Sequence, residues 1–324
     1  MGCSARARVA ATRYVHMARA LSAVELFAGC GGSAVGLRSV GVEVVALFDS
    51  DPRAVATLHA NGFSGAVCAD VNSVDFRPFC GSVDIVSGGP PCQPFSVGGL
   101  HKGAADRRNG WEAAVRAVAE IAPALFLFEN AAGFAGKSHS AYRESIEQQF
   151  RALGYTTRAL VTDAQFHSVP QSRRRCLFLG FRDHAAAARF VEPGSITPPP
   201  QLRAVLADLG PPLNECDSDW PRQHTFHAGA KPYRGHTPSS LDAAAKTIVA
   251  GVHGVPGGAN CVRLDDGSIR YLTIREALRV QGFPDDFHFP DSLSWSATFR
   301  QIGNAAPPAL IGRHAAQMLT AASL

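Results

Sequence analysis

A cysteine stands directly after two prolines in the stretch "SGGPPCQPFSVGG", from Ser87 to Gly99. Proline fixes its own φ and has no amide donor, while glycine admits conformations closed to other residues, so the segment is a loop of definite shape. A thiol presented that way, Cys92, has the chemistry of a nucleophile once it loses its proton. Further along, the apolar run "FLFEN" ends in Glu129 and Asn130. A thiol and a carboxyl at neighbouring strand ends suit a nucleophile and an acid. A buried cysteine and a helix-capping acid account for the same two residues equally well.

A second constellation lies upstream in "VELFAGCGGSAVGL", where an apolar strand ends at Ala28, glycines follow at 29, 31 and 32, and a helix opens near Ser33. The pattern is that of a nucleotide-binding turn. It departs from the dinucleotide form, because Ala34 stands where a third glycine belongs and Glu25 sits on the strand four residues before Gly29. This acid-x-x-x-Gly-x-Gly spacing is similar to that of S-adenosylmethionine enzymes, whose cofactor has a nucleoside but no pyrophosphate. Asp49 ends the next strand-like run and can accept hydrogen bonds from ribose hydroxyls. Asp70, further along the chain, can do the same for an adenine amino group. Taken singly, each acid is explained as simply by a solvated loop or a helix N-cap.

The elements that must position these residues are short apolar runs: "AVELFA", "EVVALF", "VDIVSG", "ALFLFEN" and "RCLFLGF". They alternate with helical stretches up to about residue 181, which predicts an α/β fold with a doubly wound, mostly parallel sheet. In such a sheet the reactive groups gather at the carboxyl ends of the strands. From 190 to 266 the texture changes to Pro, Gly and His with little periodicity, yet keeps Trp, Phe and Ile. That composition favours a small, loop-rich second domain over disorder. Residues 21–189 are expected to form the catalytic and cofactor-binding domain, and 267–324 to return to it. Residues 1–20 read as a disordered leader, with Met17 as an alternative start to Met1.

Composition narrows the class. The chain has 324 residues, 46% of them hydrophobic, which is material for one large core and a smaller companion. A formal charge of +4 permits a polyanionic partner without demanding one. The eight cysteines include no C-x-x-C pair, so no zinc knuckle, dithiol motif or other metal site is expected, and free thiols suit a reducing cytosol. No apolar run reaches signal-peptide or membrane-spanning length, and a cytoplasmic protein without membrane attachment is expected.

Six blocks, "ELFAGCGG", "GGPPCQPFS", "ENAAG", "QSRRR", "RYLTIREALRVQGFP" and "QIGNAAPP", resemble the signature blocks of DNA cytosine-5 methyltransferases of the bacterial restriction-modification type in order and approximate spacing. The resemblance runs from Val24 to about Gly312 and implies a catalytic set. Cys92 matches the thiolate that adds to C6 of cytosine, and Glu129 matches the carboxyl that holds or protonates N3. Arg173 and Arg175 match a pair of arginines, one on the target's carbonyl oxygen or the thiol's surroundings and one on a flanking phosphate. The implied cofactor is S-adenosyl-L-methionine, held by Phe27, Gly29, Cys30, Gly32, Asp49, Asp70, Val71, Pro91, Asn304 and Ala305. The implied partner is duplex DNA with its target base flipped out of the stack. Ser96 and Arg108 in the loop after Cys92 are expected on DNA, as are Arg234, Thr247 and Ile248 in the 190–266 segment, the family's target recognition domain.

The expected role is the protecting methylase of a restriction-modification system, monomeric, forming no stable complex with a cognate endonuclease, and associated with the bacterial nucleoid through DNA. Three residues depart from the pattern: Asp49 replaces a usual Glu, Trp111 a usual aliphatic residue, and Ala131 a usual Val. Two rival functions are a tRNA cytosine-5 methyltransferase of the same fold, whose Cys-Phe-Thr signature this sequence lacks, and a catalytically inactive DNA-binding relative, against which the intact catalytic set argues.

Overall fold

Each strand-like run becomes a strand of one sheet. The computed structural model describes residues 20–91, 110–214, 222–231, 237–250 and 260–324. Within them β1 (Ser22–Leu26), β2 (Glu43–Asp49), β3 (Ala66–Cys68), β4 (Ile85–Gly88), β5 (Leu125–Ala131), β6 (Thr156–Asp163) and β7 (Arg174–Phe181) form a seven-stranded sheet in the order β3-β2-β1-β4-β5-β7-β6. The pairs from β3 to β5 are parallel, and β7 runs antiparallel to both β5 and β6. The expected doubly wound, mostly parallel α/β sheet is what forms.

Both faces are covered, which is why the strands read as continuous apolar runs. Alternate residues divide between two cores. Leu125 and Leu127 of β5, with Leu177 and Leu179 of β7, pack under α1 (Gly32–Arg38), α5 (His184–Arg189) and α9 (Pro308–Ala322). Phe126, Phe128 and Phe178 point the other way, under α3 (Trp111–Ile121) and α4 (Ser140–Ala152). Trp111, one of the departures from the family pattern, is fully buried there, stacked on Phe134 at 4.7 Å and edge-on to Phe128 and Phe178. The helix α2 (Pro52–Ala60) starts with Pro52 behind an Asp51 N-cap and packs Val55 and Leu58 against Leu47 of β2.

The later part of the chain builds a smaller unit. Within it, β8 (Ser239–Ser240), β9 (Cys261–Arg263) and β10 (Ile269–Tyr271) make a three-stranded sheet. Around it lie α6 (Leu202–Leu206), α7 (Ile274–Gln281) and α8 (Trp295–Asn304). A Thr273–Glu276 capping box starts α7. Leu202, Ile248 and Val262 share one apolar cluster with Leu278, Phe299 and Ile302. The β9–β10 hairpin therefore spans the boundary expected at residue 266, because both strands contribute to the same sheet.

Buried polar groups tie the two units together and fix the start of α1. The guanidinium of Arg173, 1% exposed, donates to the carbonyls of Ile248 (3.0 Å), Gly303 (2.7 Å) and Ala305 (3.1 Å). Its neighbour Gln171 accepts from the amide of Ile248 and donates to Gln281, while Ser172 accepts the Thr247 hydroxyl. On β1, the buried Glu25 carboxyl accepts from the Ser33 hydroxyl and the Ala34 amide at the start of α1, and one of its oxygens has no partner among the described residues. Burial outweighs those bonds and pushes its pKa up to about 8.

Two outcomes are expected. Replacing Arg173 by Met removes the donors to three buried carbonyls and lowers the unfolding free energy by about 3 kcal/mol, roughly one per lost bond. Hydrogen exchange should accelerate at 247–250 and 303–306, and an unchanged urea midpoint would refute the clamp. Glu25 keeps its proton in the fold where the unfolded chain has lost it, so folding binds a proton between about pH 4.5 and about pH 8. Stability should therefore fall as pH rises through that window. Glu25→Gln should remove this component, visible as a flatter dependence of unfolding free energy between pH 5 and pH 8.

Candidate active site

The parallel strands deliver their carboxyl ends to one edge: Phe27 to Gly29 after β1, Asp49 at the end of β2, Gly89 to Pro91 after β4, and Glu129 and Asn130 on β5. The antiparallel β7 brings its amino end to the same edge, with Arg175 opposite Ala131 and Leu177 opposite Glu129. Arg175 thus lies diagonally across from Glu129 on one face of the sheet, within reach of a long side chain. Nε of Arg175 sits 2.5 Å from Oε1 of Glu129, and both side chains are largely buried. The contact is an ion pair rather than an aligned hydrogen bond, since that oxygen has no hydrogen-bond donor among the described residues.

Asn130 ties this pair to the proline loop. Its Nδ2 donates to the carbonyl of Pro90 at 2.9 Å, and its Oδ1 accepts from the amide of Ala131. Gly110, at the entry to α3, donates its amide to the Pro91 carbonyl. A Cβ on Gly110 would lie 2.4 Å from the Pro91 ring and 2.9 Å from the Phe27 ring, so only glycine admits this approach. The chain leading to Cys92 is therefore held from both sides. Cys92, Ser96, Arg108 and Arg234 lie outside the described residues.

The glycine turn opens beside a cleft of about 120 Å³ lined by Gly29, Asp49, Asp51, Arg53, Ala54, Ala297, Arg300, Gln301 and Asn304. Gly29 has φ +54° and open space where a side chain would be. Its amide donates to Oδ2 of Asp49 at 2.7 Å, and Oδ1 of Asp49 accepts from Asp51 at 2.8 Å. Three residues assigned to the cofactor by resemblance, Gly29, Asp49 and Asn304, thus meet at one cleft. Gln301 also lines it, nearly buried, and neither its amide oxygen nor its amide nitrogen has a partner among the described residues. Unpaired buried amide atoms, a carboxylate and a bare glycine fit a polar ligand such as a nucleoside.

Other expected cofactor residues also make contacts within the chain. Cys30 points its fully buried thiol at the Gln301 carbonyl, and burial pushes the thiol's pKa well up, so it is not a reactive group. Gly32 is required by packing, because a Cβ there would lie 2.1 Å from the Ala306 carbonyl oxygen. Asp70 is exposed and caps a short 3-10 turn by accepting from the amide of Asn72, while Val71 behind it is buried. Ala305 is buried and gives its carbonyl to Arg173 and Gln281.

Two expectations require correction. Ile248 is fully buried in the apolar cluster, so its side chain cannot touch DNA. Arg173 is likewise buried, with both Nη atoms of its guanidinium on three carbonyls rather than facing a target base or phosphate, and Nε is its one nitrogen without a partner among the described residues. Desolvation lowers its pKa to about 9. Thr247 is half-buried and donates to Ser172. Asn130, Gln171, Arg300 and Gln301 were not assigned a role from sequence, although Gln171 opens "QSRRR" and Gln301 opens "QIGNAAPP".

Comparison with known proteins agrees with this arrangement. The family model for C-5 cytosine-specific DNA methylases matches residues 21–227 and 217–320. The chain is 33% identical to the Type II methyltransferase M.PspPI of Psychrobacter, covering 95% of this chain and 82% of that one. It is 31% identical to the Type II methyltransferase M.NgoMIV of Neisseria gonorrhoeae over 89% and 93% of the two chains. Among solved structures, the methyltransferase EhMeth of Entamoeba histolytica superposes with a TM-score of 0.75 at 16% identity, covering 93% of this chain and 98% of that one. Dnmt2 of S. pombe does so with a TM-score of 0.69 at 19% identity and the same coverage. With its six blocks, its sheet order and the match over nearly its whole described length, the chain belongs to the C-5 cytosine-specific DNA methylase family and is a DNA methyltransferase enzyme.

Proposed function

We propose that the protein transfers a methyl group from S-adenosyl-L-methionine to C5 of a cytosine flipped out of a specific short duplex DNA sequence, as the protecting methylase of a restriction-modification system. The observation that supports this most directly is the Glu129–Arg175 pair beside Pro90, two residues before Cys92, at the edge where the cofactor cleft also opens. Asp49, Asn304 and the amide of Gln301 would hold the cofactor's nucleoside, with Gly29 leaving room for it. When bound, S-adenosylmethionine supplies an electrophilic methyl group.

The chain's own residues make C5 able to take it. The Cys92 thiolate adds to C6 and the ring's electron pair moves toward N3, where Glu129 holds or donates the proton. That charge removal makes C5 nucleophilic. After methylation a solvent base takes the C5 proton, the C6–S bond breaks to restore the ring's C5–C6 double bond and the Cys92 thiolate, and any proton given to N3 returns to Glu129, so no net change remains on the enzyme. Arg175 keeps the Glu129 carboxyl at a fixed position, and Arg173 acts as a positioning residue through the backbone it ties. C6 is shielded inside a stacked duplex, which is why the base must leave it. Ser96, Arg108 and Arg234 would contact DNA phosphates or base edges, with the 190–266 segment choosing the sequence.

Incubating the full chain with plasmid DNA and S-adenosylmethionine and mapping 5-methylcytosine by bisulfite sequencing should return one short recognition sequence. Methyl groups appearing on a parallel tRNA sample and not on plasmid would overturn the DNA assignment. Cys92→Ala should retain DNA binding in a gel-shift assay and lose methyl transfer. Glu129→Gln should lower the single-turnover rate by about 10²-fold or more while leaving DNA affinity nearly unchanged. A variant with wild-type turnover would remove Glu129 from the mechanism.

A further inference from the structure

We propose that His167, Glu192 and His314 form a binding site for a divalent transition-metal ion of the zinc class, which shares no residue with the active site and fastens the connector after α5 to α9. One ligand atom from each residue lies within 4.8 Å of the other two. His167 follows the 3-10 turn after β6, Glu192 is on the segment leading out of α5, and His314 is in α9.

The hydrogen bonds leave one ring nitrogen of each histidine without a partner among the described residues. Nδ1 of His314 contacts the Leu310 carbonyl at 2.8 Å, and a carbonyl only accepts, so the ring proton is on Nδ1. Nε2 is then an unprotonated lone pair, fully buried, with no partner among the described residues. On His167 it is Nδ1 that is buried without a partner, while Nε2 bonds the Thr162 hydroxyl at 2.7 Å. An imidazole oriented through its second nitrogen, with the first left free, is how a ligating histidine is held. The two rings lie 4.9 Å apart, and burial keeps both neutral at physiological pH, with His314 pushed down to about 4. Neutral imidazoles are the form that binds metal.

Glu192 is exposed and completes the set from the solvent side, so an ion can enter there with water as a fourth ligand. Tetrahedral ligands at about 2.0–2.1 Å stand roughly 3.4 Å apart, which the exposed glutamate reaches by rotating inward. Two imidazoles with one carboxylate favour zinc, copper or nickel over calcium or magnesium. Arg313 lies beside both rings and opposes a cation, while Asp163 favours one near His167. Arg313 already donates to the Gly194 carbonyl, and the Phe166 carbonyl accepts from Ile196, so the connector is docked next to the site without metal.

The test uses the full chain, free of purification tags, treated with chelator and titrated with Zn²⁺ and Co²⁺. About one equivalent should bind, and Co²⁺ should show visible bands of a low-coordinate nitrogen and oxygen site. Hydrogen exchange at 190–196 should slow when zinc is added. Glu192→Gln, an exposed change that spares the fold, should weaken binding by about tenfold or more, the loss that even an outer-shell partner's removal brings. His314→Leu should abolish the site. Stoichiometric binding that survives both substitutions, no binding at all, or a near-ultraviolet thiolate band placing the metal on cysteines would each overturn the proposal.

Discussion

The antiparallel pairing of β7 with β5 is the constraint on which the catalytic edge depends. A strand parallel to β5 would send its amino end to the opposite edge of the sheet, and the arginines of "QSRRR" with it. Because β7 runs backward, Ala131 faces Arg175 and Glu129 faces Leu177, and the guanidinium of Arg175 reaches the carboxyl of Glu129 across the diagonal. The same reversal places Arg173 just before the strand, where the smaller unit and the start of α9 converge. One register thus sets the acid, its cation and the clamp.

Polar burial divides the work around that edge. Glu129 is buried against a cation, so its carboxylate charge is compensated within the fold. Arg173 lies against three carbonyls and has no carboxylate hydrogen-bond partner among the described residues, which ties together segments far apart in sequence. Gln301 is different again. Its amide is nearly buried beside Asp49 and Asn304 and has no partner among the described residues.

The legible parts of the fold were those with strong local signals. The five apolar runs read as strands all form strands, and the turns at Gly29 and Pro90 to Pro91 lie at their carboxyl ends. The strands β3 and β6 were harder to see: β3 has three residues, and β6, "TTRALVTD", alternates at the sheet's margin with only a weak apolar face. The boundary at 266 followed composition, which registers the Pro and Gly content of loops but not that β9 and β10 pair across it. Family blocks pointed to Glu129 and Arg175, and the sheet register brings the two into an ion pair. The same resemblance assigned Arg173 and Ile248 to the substrate, whereas burial turns both inward.

The sequence by itself determined five of the strands, the family and the chemical types at the candidate site, because periodicity, turn residues and short motifs act over a few neighbouring positions. It also determined that Cys92 follows a rigid proline turn. Only the tertiary structure decided which side chains face a cleft, which face a carbonyl and which face each other. Arg173 and Arg175 differ by two residues and have the same charge, yet one is a clamp and the other a partner for Glu129. His167 and His314 stand 147 positions apart (314 − 167), and their rings meet at 4.9 Å only once α9 has folded back over the sheet. Such choices rest on the desolvation and pairing of groups brought together from distant segments, and no local pattern records them.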